Sequence, residues 1–195
     1  MKTEVEDTLE RLFKEVLTVL GEDVDRPGLV DTPKRVAKMY SRELFTGLGV
    51  DLKEIVEKAI FHGEGEGMVI VGDIPFYSFC EHHLVPFFGK VHVGYIPQEG
   101  RVVGLSKIAR VIEAASKQPQ VQERMSQMIA NAIFDSKLGP EGVGVVISAE
   151  HLCMSMRGVG KPGSKTVTCD VRGSFRYESE TRAEFLSHVD RLKNH

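Results

Sequence analysis

Cys80-Glu81-His82-His83, answered far downstream by His151-Leu152-Cys153, constrains this chain more than any other feature of it. If the two thiols and one of the histidines share a metal, the fold must carry residue 153 back to residue 80. Cys80 and His83 are three apart, so a single turn can present both, and Cys153 must arrive from another strand end. Three protein ligands of this kind suit zinc and leave a fourth position for water, which is the arrangement of catalytic rather than structural sites. Spacing alone leaves a second reading open. Free cysteine is among the most buried residue types, and the same residues could be core thiols beside packing histidines.

Length and charge narrow the classes. At 195 residues and 42% hydrophobic, the chain can build one domain with a real core and a small helical appendage. A net charge of −3 gives no electrostatic footprint for nucleic acid and no basic face for anionic lipid. No apolar run approaches the roughly 20 residues that span a bilayer, and the charged start from Met1 to Glu10 lacks a signal peptide's apolar segment. A cytoplasmic protein is therefore expected, where three cysteines speak for metal or catalysis over a disulfide frame.

Periodicity changes once along the chain. Residues 4–20 place Val5, Leu9, Leu12, Phe13, Val16 and Leu20 at helical spacing, with Gly21 as a stop. Asp31-Thr32-Pro33 opens a second helix, where a capping side chain precedes a proline suited to the first turn. Asp51 and Glu54 open a third through a capping box. The glycine-rich stretch from His62 to Gly67 reads as a mobile loop, so 1–67 is taken as a helical arm with its linker and 68–195 as the catalytic domain.

Strand patterns follow at Met68–Val71, Ile74–Phe79, Lys90–Ile96 and Arg101–Val103, the last two as a hairpin through Pro97 to Gly100. Helices are expected from about Ser106 to Ser116 and from about Val121 to Lys137. Val143–Ala149 and Lys165–Tyr177 return to strand, and Thr181–Lys193 is a closing helix. Hairpins on both sides of a helical pair give an α+β layout, an antiparallel sheet with helices on one face. Cys169 reads as a core thiol, and His62 and His92 as loop and strand-surface residues. His188 and His195 fall in the last helix or tail without assigned chemistry.

His82 cannot readily ligate beside His83, because adjacent side chains diverge, so it is placed as a proton-transfer group next to the metal. His151, two before Cys153, shares a face with it if that segment is extended. Histidine near its ordinary pKa suits acid and base work at neutral pH.

Several separated motifs in order resemble GTP cyclohydrolase I. They are Asp31-Thr32-Pro33-Lys34-Arg35-Val36, Phe76-Tyr77-Ser78-Phe79 running into Cys80-Glu81-His82-His83, and Gly104-Leu105-Ser106-Lys107. Val121-Gln122-Glu123-Arg124, His151-Leu152-Cys153-Met154 and Met156-Arg157-Gly158-Val159 complete the set, and the resemblance covers about residues 26–190.

That resemblance implies hydrolysis of GTP at C8 of the guanine ring, loss of formate and closure to 7,8-dihydroneopterin triphosphate, the first step towards tetrahydrofolate. It implies the tunnelling fold, a four-stranded antiparallel sheet with two helices on one face, and a homodecamer built as a dimer of pentamers with active sites shared between subunits.

Residue by residue, the resemblance makes Cys80, His83 and Cys153 the zinc ligands and His82 and His151 the acid–base pair. Gln122 and Glu123 become the purine-reading pair, and Ser106 a serine near the ribose. Lys107, Arg110, Arg157 and Arg35 become triphosphate ligands. Lys107 and Arg110 lie three apart on one helix and can face the same phosphates. An N-terminus this short suits a bacterial-type enzyme better than animal members with their long leader. The rivals are another enzyme of the same fold, either a nitrile reductase, which would use a cysteine nucleophile and NADPH, or a sister purine-ring cyclohydrolase, and a zinc-stabilised binding module with four closed ligands.

Overall fold

The structure is a computed structural model that describes residues 3–63, 65 and 67–193. Glu64 and Glu66 of the glycine-rich stretch, and His195, lie outside the described residues. The chain divides into two compact units, residues 1–46 and 47–195.

The first unit is helical. α1 (Glu4–Val19) starts on a capping box, in which the Glu6 amide donates to Thr3 Oγ1 at 3.2 Å and the Thr3 amide to the Glu6 carboxylate at 3.4 Å. Glu6 is nevertheless buried, because the Arg42 guanidinium grips it through two nitrogens and Ser41 donates to it at 3.2 Å. α2 (Thr32–Met39) carries Pro33 in its first turn, as expected. The Asp31 side chain does not cap it, pairing instead with Arg35 at 3.3 Å. A π turn over Tyr40–Leu44 follows, and Tyr40 packs its ring against Phe13 and Phe45, both at 5.1 Å.

The second unit opens with α3 (Leu52–Glu57), whose Asp51 side chain accepts from the amides of Lys53 and Glu54. β1 (Ile60–His62), β2 (Val69–Cys80), β3 (Pro86–Ile96) and β4 (Arg101–Val103) lead into α4 (Leu105–Ser116). Next come β5 (Pro119–Gln120), α5 (Gln122–Phe134), β6 (Gly142–His151) and the single turn α6 (Leu152–Ser155). β7 (Lys165–Gly173), α7 (Ser174–Tyr177) and α8 (Ser179–Lys193) complete the order.

The mixed α+β class holds, but the main sheet has five strands in the order β5-β2-β3-β6-β7 rather than four. The four long strands are antiparallel neighbours, and the two-residue β5 adds a parallel edge to β2. The expected pair Met68–Val71 and Ile74–Phe79 is one strand, β2, interrupted by a bulge. It pairs with β3 on both sides of Gly72-Asp73, and Asp73 sits at φ 54 with its amide donating to His92 Nδ1 at 3.2 Å.

The expected hairpin between 90–96 and 101–103 does not form. Both edges of β3 are taken by β2 and β6, so β4 pairs with β1 in a separate two-stranded ladder. The second unit's strand run at 165–177 likewise ends early, at Gly173, where φ 57 turns the chain into α7.

One sheet face packs on α4 and α5. Val91, Val93, Tyr95, Val145 and Ile147 meet Ile108, Val111, Ile112, Met125, Ile129 and Ile133 there, nearly all without solvent exposure. Each such side chain contributes about 1.5–3 kcal/mol when fully buried. The opposite face is covered at one end by Phe175 and Phe185, from α7 and α8. Gly94 and Gly144 make that docking possible, since a Cβ on either would lie under 3 Å from the Phe185 ring. This second layer buries His92, which was expected at the strand surface. Cys169 is exposed rather than a core thiol, because it lies on edge strand β7 and the α7–α8 cover reaches only Val171 on its face.

Candidate metal centre and the residues around it

β2 and β6 both run antiparallel to β3, and β5 runs parallel to β2, so the C-terminal ends of three strands gather at one end of the sheet. Cys80 ends β2, Gln120 ends β5 beside it, and His151 ends β6 opposite Phe87 at the start of β3. Residues 81–85 close the turn from β2 to β3. The Cys80 amide donates to Val85 O at 3.0 Å, and the amides of His83 and Leu84 return to Cys80 O. Leu84 takes a left-handed φ of 51 to do so, which costs a non-glycine residue roughly 1–2 kcal/mol.

The turn is also tied from the side. The Glu81 amide donates to Gln120 O at 2.9 Å, and its carboxylate meets Arg124 on α5, which in turn donates to Gln120 Oε1 and Pro119 O.

Beyond His151 the chain winds directly into α6, where Cys153 sits half-buried. One ligand atom each from Cys80, His83 and Cys153 lies within 4.8 Å of the others, and Cys80 Sγ is 3.7 Å from His83 Nδ1. Bonds of the usual zinc–sulfur and zinc–nitrogen lengths would set such atoms about 3.5–3.8 Å apart, so the group needs only a small contraction to hold one ion. Cys80 is buried and His83 exposed, which leaves the imidazole side open to solvent. Burial, and after it the neighbouring Cys80, push the Cys153 thiol up, while Arg157 pulls it back. A cation between the two sulfurs reverses that balance, because metal binding takes thiols as thiolates. The donor set therefore fits a metal.

The other expected residues divide into those at this end of the sheet and those away from it. His82 is 64% exposed, 3.9 Å from Cys80 Sγ and from the Glu81 carboxylate, and its ring lies 6.3 Å from that of His83 at 77°. His151 is half-buried and stacked on Phe87 with ring centroids 4.6 Å apart and planes 3° from parallel. Burial lowers its pKa, and the nearby Glu123 carboxylate pushes it back up. Gln122 is buried beside it with Oε1 2.8 Å from His151 Nε2, and Glu123 is exposed in the first turn of α5. Arg157 is exposed and near enough to act on Cys153.

Ser106, Lys107 and Arg110 are not brought to this group. They occupy the first two turns of α4, whereas its last residue, Ser116, accepts from Ser78 two residues before Cys80. Ten residues of helix put Ser106 about 15 Å further along. Among the described residues no hydrogen bond or ion pair links their side chains to the metal group. Arg35 belongs to the first unit, paired with Asp31. A cleft of about 360 Å³ on β3 and β6, with Lys90, His92, Glu150 and Lys165 in its wall, contains none of the expected site residues.

Two supporting contacts carry no clear signal in the sequence. Phe87, the stacking surface for His151, shares the face of Val91 and Val93 in β3, but the strand expected from sequence starts only at Lys90. The Glu81–Arg124 tie had no signal, because it joins residues that only the β2–β5 pairing makes neighbours.

Fold and site together define an α+β protein with a Cys-His-Cys group that could hold a metal ion at the end of its main sheet. Residues 9–190 match the model of the family described as GTP cyclohydrolase I. GTP cyclohydrolase 1 of Bacillus subtilis (strain 168) is 53% identical over 191 residues, 98% of this chain and 99% of the relative. That of Geobacillus kaustophilus is 57% identical over 179 residues, 92% and 94% of the two chains. That of Carboxydothermus hydrogenoformans is 56% identical over 181 residues, 93% of each. The chain belongs to the GTP cyclohydrolase I family, whose members are hydrolases.

Proposed function

We propose that this chain hydrolyses GTP at C8 of the guanine ring, releases formate and yields 7,8-dihydroneopterin triphosphate. The observation that carries the reading is the convergence of Cys80, His83 and Cys153, with His151 beside them, in a chain this similar to its relatives. Zinc fits two thiolates and an imidazole, and when bound it would polarise the substrate and activate water.

The chain's own residues do the rest. His82 and His151 handle protons at the purine N7 and the ribose ring oxygen, at positions where a general acid or base contributes about 10²–10⁴-fold. The Glu123 carboxylate suits the N1 and N2 donors of guanine, and adenine is rejected because it would leave that acceptor unpaired. Lys107, Arg110, Arg157 and Arg35 supply cations for the triphosphate, and Ser106 a hydroxyl for the ribose.

A tunnelling fold assembled into a homodecamer is part of the same reading. The distance of Ser106, Lys107 and Arg110 from the metal end of their own chain supports it, because those groups then serve the site of a neighbouring subunit. Placement in the cytoplasm is also proposed; no described helix is long and apolar enough to cross a membrane. The test is formate release from GTP by metal-loaded protein, with bound metal measured on the same sample. Protein holding one zinc per chain that releases no formate would overturn the activity.

A further inference from the structure

Gln122 is 1% exposed at the first position of α5, and its side chain is fully engaged within the fold. Its amide nitrogen lies 3.1 Å from Ile147 O on β6, 3.1 Å from Thr166 O on β7 and 3.2 Å from Thr168 Oγ1. Its amide oxygen lies 2.8 Å from His151 Nε2. A backbone carbonyl can only accept. The two carbonyls therefore fix which end of the amide carries the NH2 group, since the flipped form would bury three oxygens against one another.

With the amide fixed, its oxygen faces the imidazole, and an amide oxygen also only accepts. His151 Nε2 must then carry a hydrogen, which leaves Nδ1 as the only proton-accepting atom of the neutral ring. Phe87 restrains the same ring independently, from its face. Stacking fixes the ring plane, and the glutamine fixes its rotation and the site of its proton.

We propose that Gln122 is a positioning residue that locks His151 in the Nε2–H tautomer, and that it serves this histidine rather than reading the purine. The resemblance that makes Gln122 half of a purine-reading pair meets a side chain with both amide hydrogens already committed. Glu123, exposed one residue further on, stays free for that role. The catalytic consequence rests on the proton-handling role proposed above for His151, whereas the tautomer itself does not.

The test is ring ¹⁵N NMR of histidine-labelled, zinc-loaded protein without substrate, with the His151 signals assigned by their loss in His151→Gln. Wild type should show a protonated Nε2 and an unprotonated Nδ1 at this residue. Gln122→Met, which keeps the length but not the hydrogen bonds, should release a mixture of tautomers. Its kcat should fall roughly 10- to 100-fold, the usual cost of a misplaced catalytic group, with KM for GTP little changed. Thr168→Val, which removes only one of three acceptors, should keep the wild-type signature.

Protonated Nδ1 in wild type would overturn the proposal, and so would Gln122→Met with the signature intact and KM raised. If Gln122→Met does not fold, the wild-type spectrum decides alone. A correct signature in protein that releases no formate would count against the proposed activity and leave the tautomer lock standing.

Discussion

The metal end of the main sheet and the first turns of α4 both carry residues expected to touch one substrate, yet the fold treats them in opposite ways. At the metal end the framework is held: the turn after Cys80 by its own amides and by Arg124, and His151 by Phe87 and Gln122, while His82 and His83 stay exposed. On α4, Ser106 and Arg110 stand exposed and Lys107 half-exposed, with no side-chain partner among the described residues. Groups that do chemistry must be placed to within fractions of an ångström, whereas phosphate-binding cations can be ordered by the phosphates they meet. On the proposed function, the difference teaches that the chain itself orders the surroundings of its reaction centre and leaves its anion clamp to be ordered by the substrate.

Five experiments probe that contrast and its limits, taken from the largest effect downwards. Cys153→Ala should lose metal and formate release together, by about 10³-fold or more if the ion supplies several kcal/mol to the barrier. Retained metal with full activity would remove Cys153 from the reaction centre. His82→Ala should keep its metal and slow turnover roughly 10²- to 10⁴-fold, and formate release at the wild-type rate would show that this exposed imidazole transfers no essential proton.

Lys107→Ala should raise KM for GTP roughly 10-fold, the scale of one charge-assisted hydrogen bond, with kcat and metal content near wild type. Mixing the subunits of Lys107→Ala and Cys153→Ala goes further. Activity recovered in the mixture, when each parent is impaired, would mean that the clamp of one chain completes the centre of another. A mixture no better than the average of its parents would place both halves in the same chain.

The smallest effect concerns a charge that is held but far from chemistry in sequence. Arg42, first of all, keeps the Glu6 carboxyl at about 2, below its ordinary 4.5. A carboxylate with a lowered pKa adds stability that is complete above its unfolded value and is lost as pH falls through the folded one. An acid titration of helix content should therefore show the first unit loosening between about pH 4.5 and 2. Glu6→Gln should lack that step and be less helical at neutral pH. Identical titration curves would mean that the buried pair contributes nothing.

Legibility in the sequence followed the range of the interaction. Cys80 and His83 are close in the chain, and their convergence could be read from spacing. The arrival of Cys153 depended on β2 and β6 flanking the same central strand, which motif order suggested and periodicity could not.

The errors share one cause, since a strand's own pattern does not say which neighbour it takes or what covers its second face. Adjacency in sequence predicts β4 beside β3, although β3 has no free edge. Alternation predicts an exposed His92 and a buried Cys169, and both are reversed because the α7–α8 layer covers the first and stops short of the second. The role now inferred for Gln122 needed coordinates altogether. An apolar stripe and a polar helix start look alike whether or not two carbonyls from other strands point at the glutamine.

Val121 alone separates β5, which is hydrogen-bonded to β2, from the first residue of α5. The strand therefore sets the angular phase of the helix. Each residue of an α-helix advances it by about 100°, so one residue inserted at this joint would rotate Gln122 away from the imidazole and swing Met125, Ile129 and Ile133 off the sheet together. The joint behaves like a keyed shaft: point changes near it should be graded in effect, whereas a change in length by a single residue should disable folding and chemistry in one stroke.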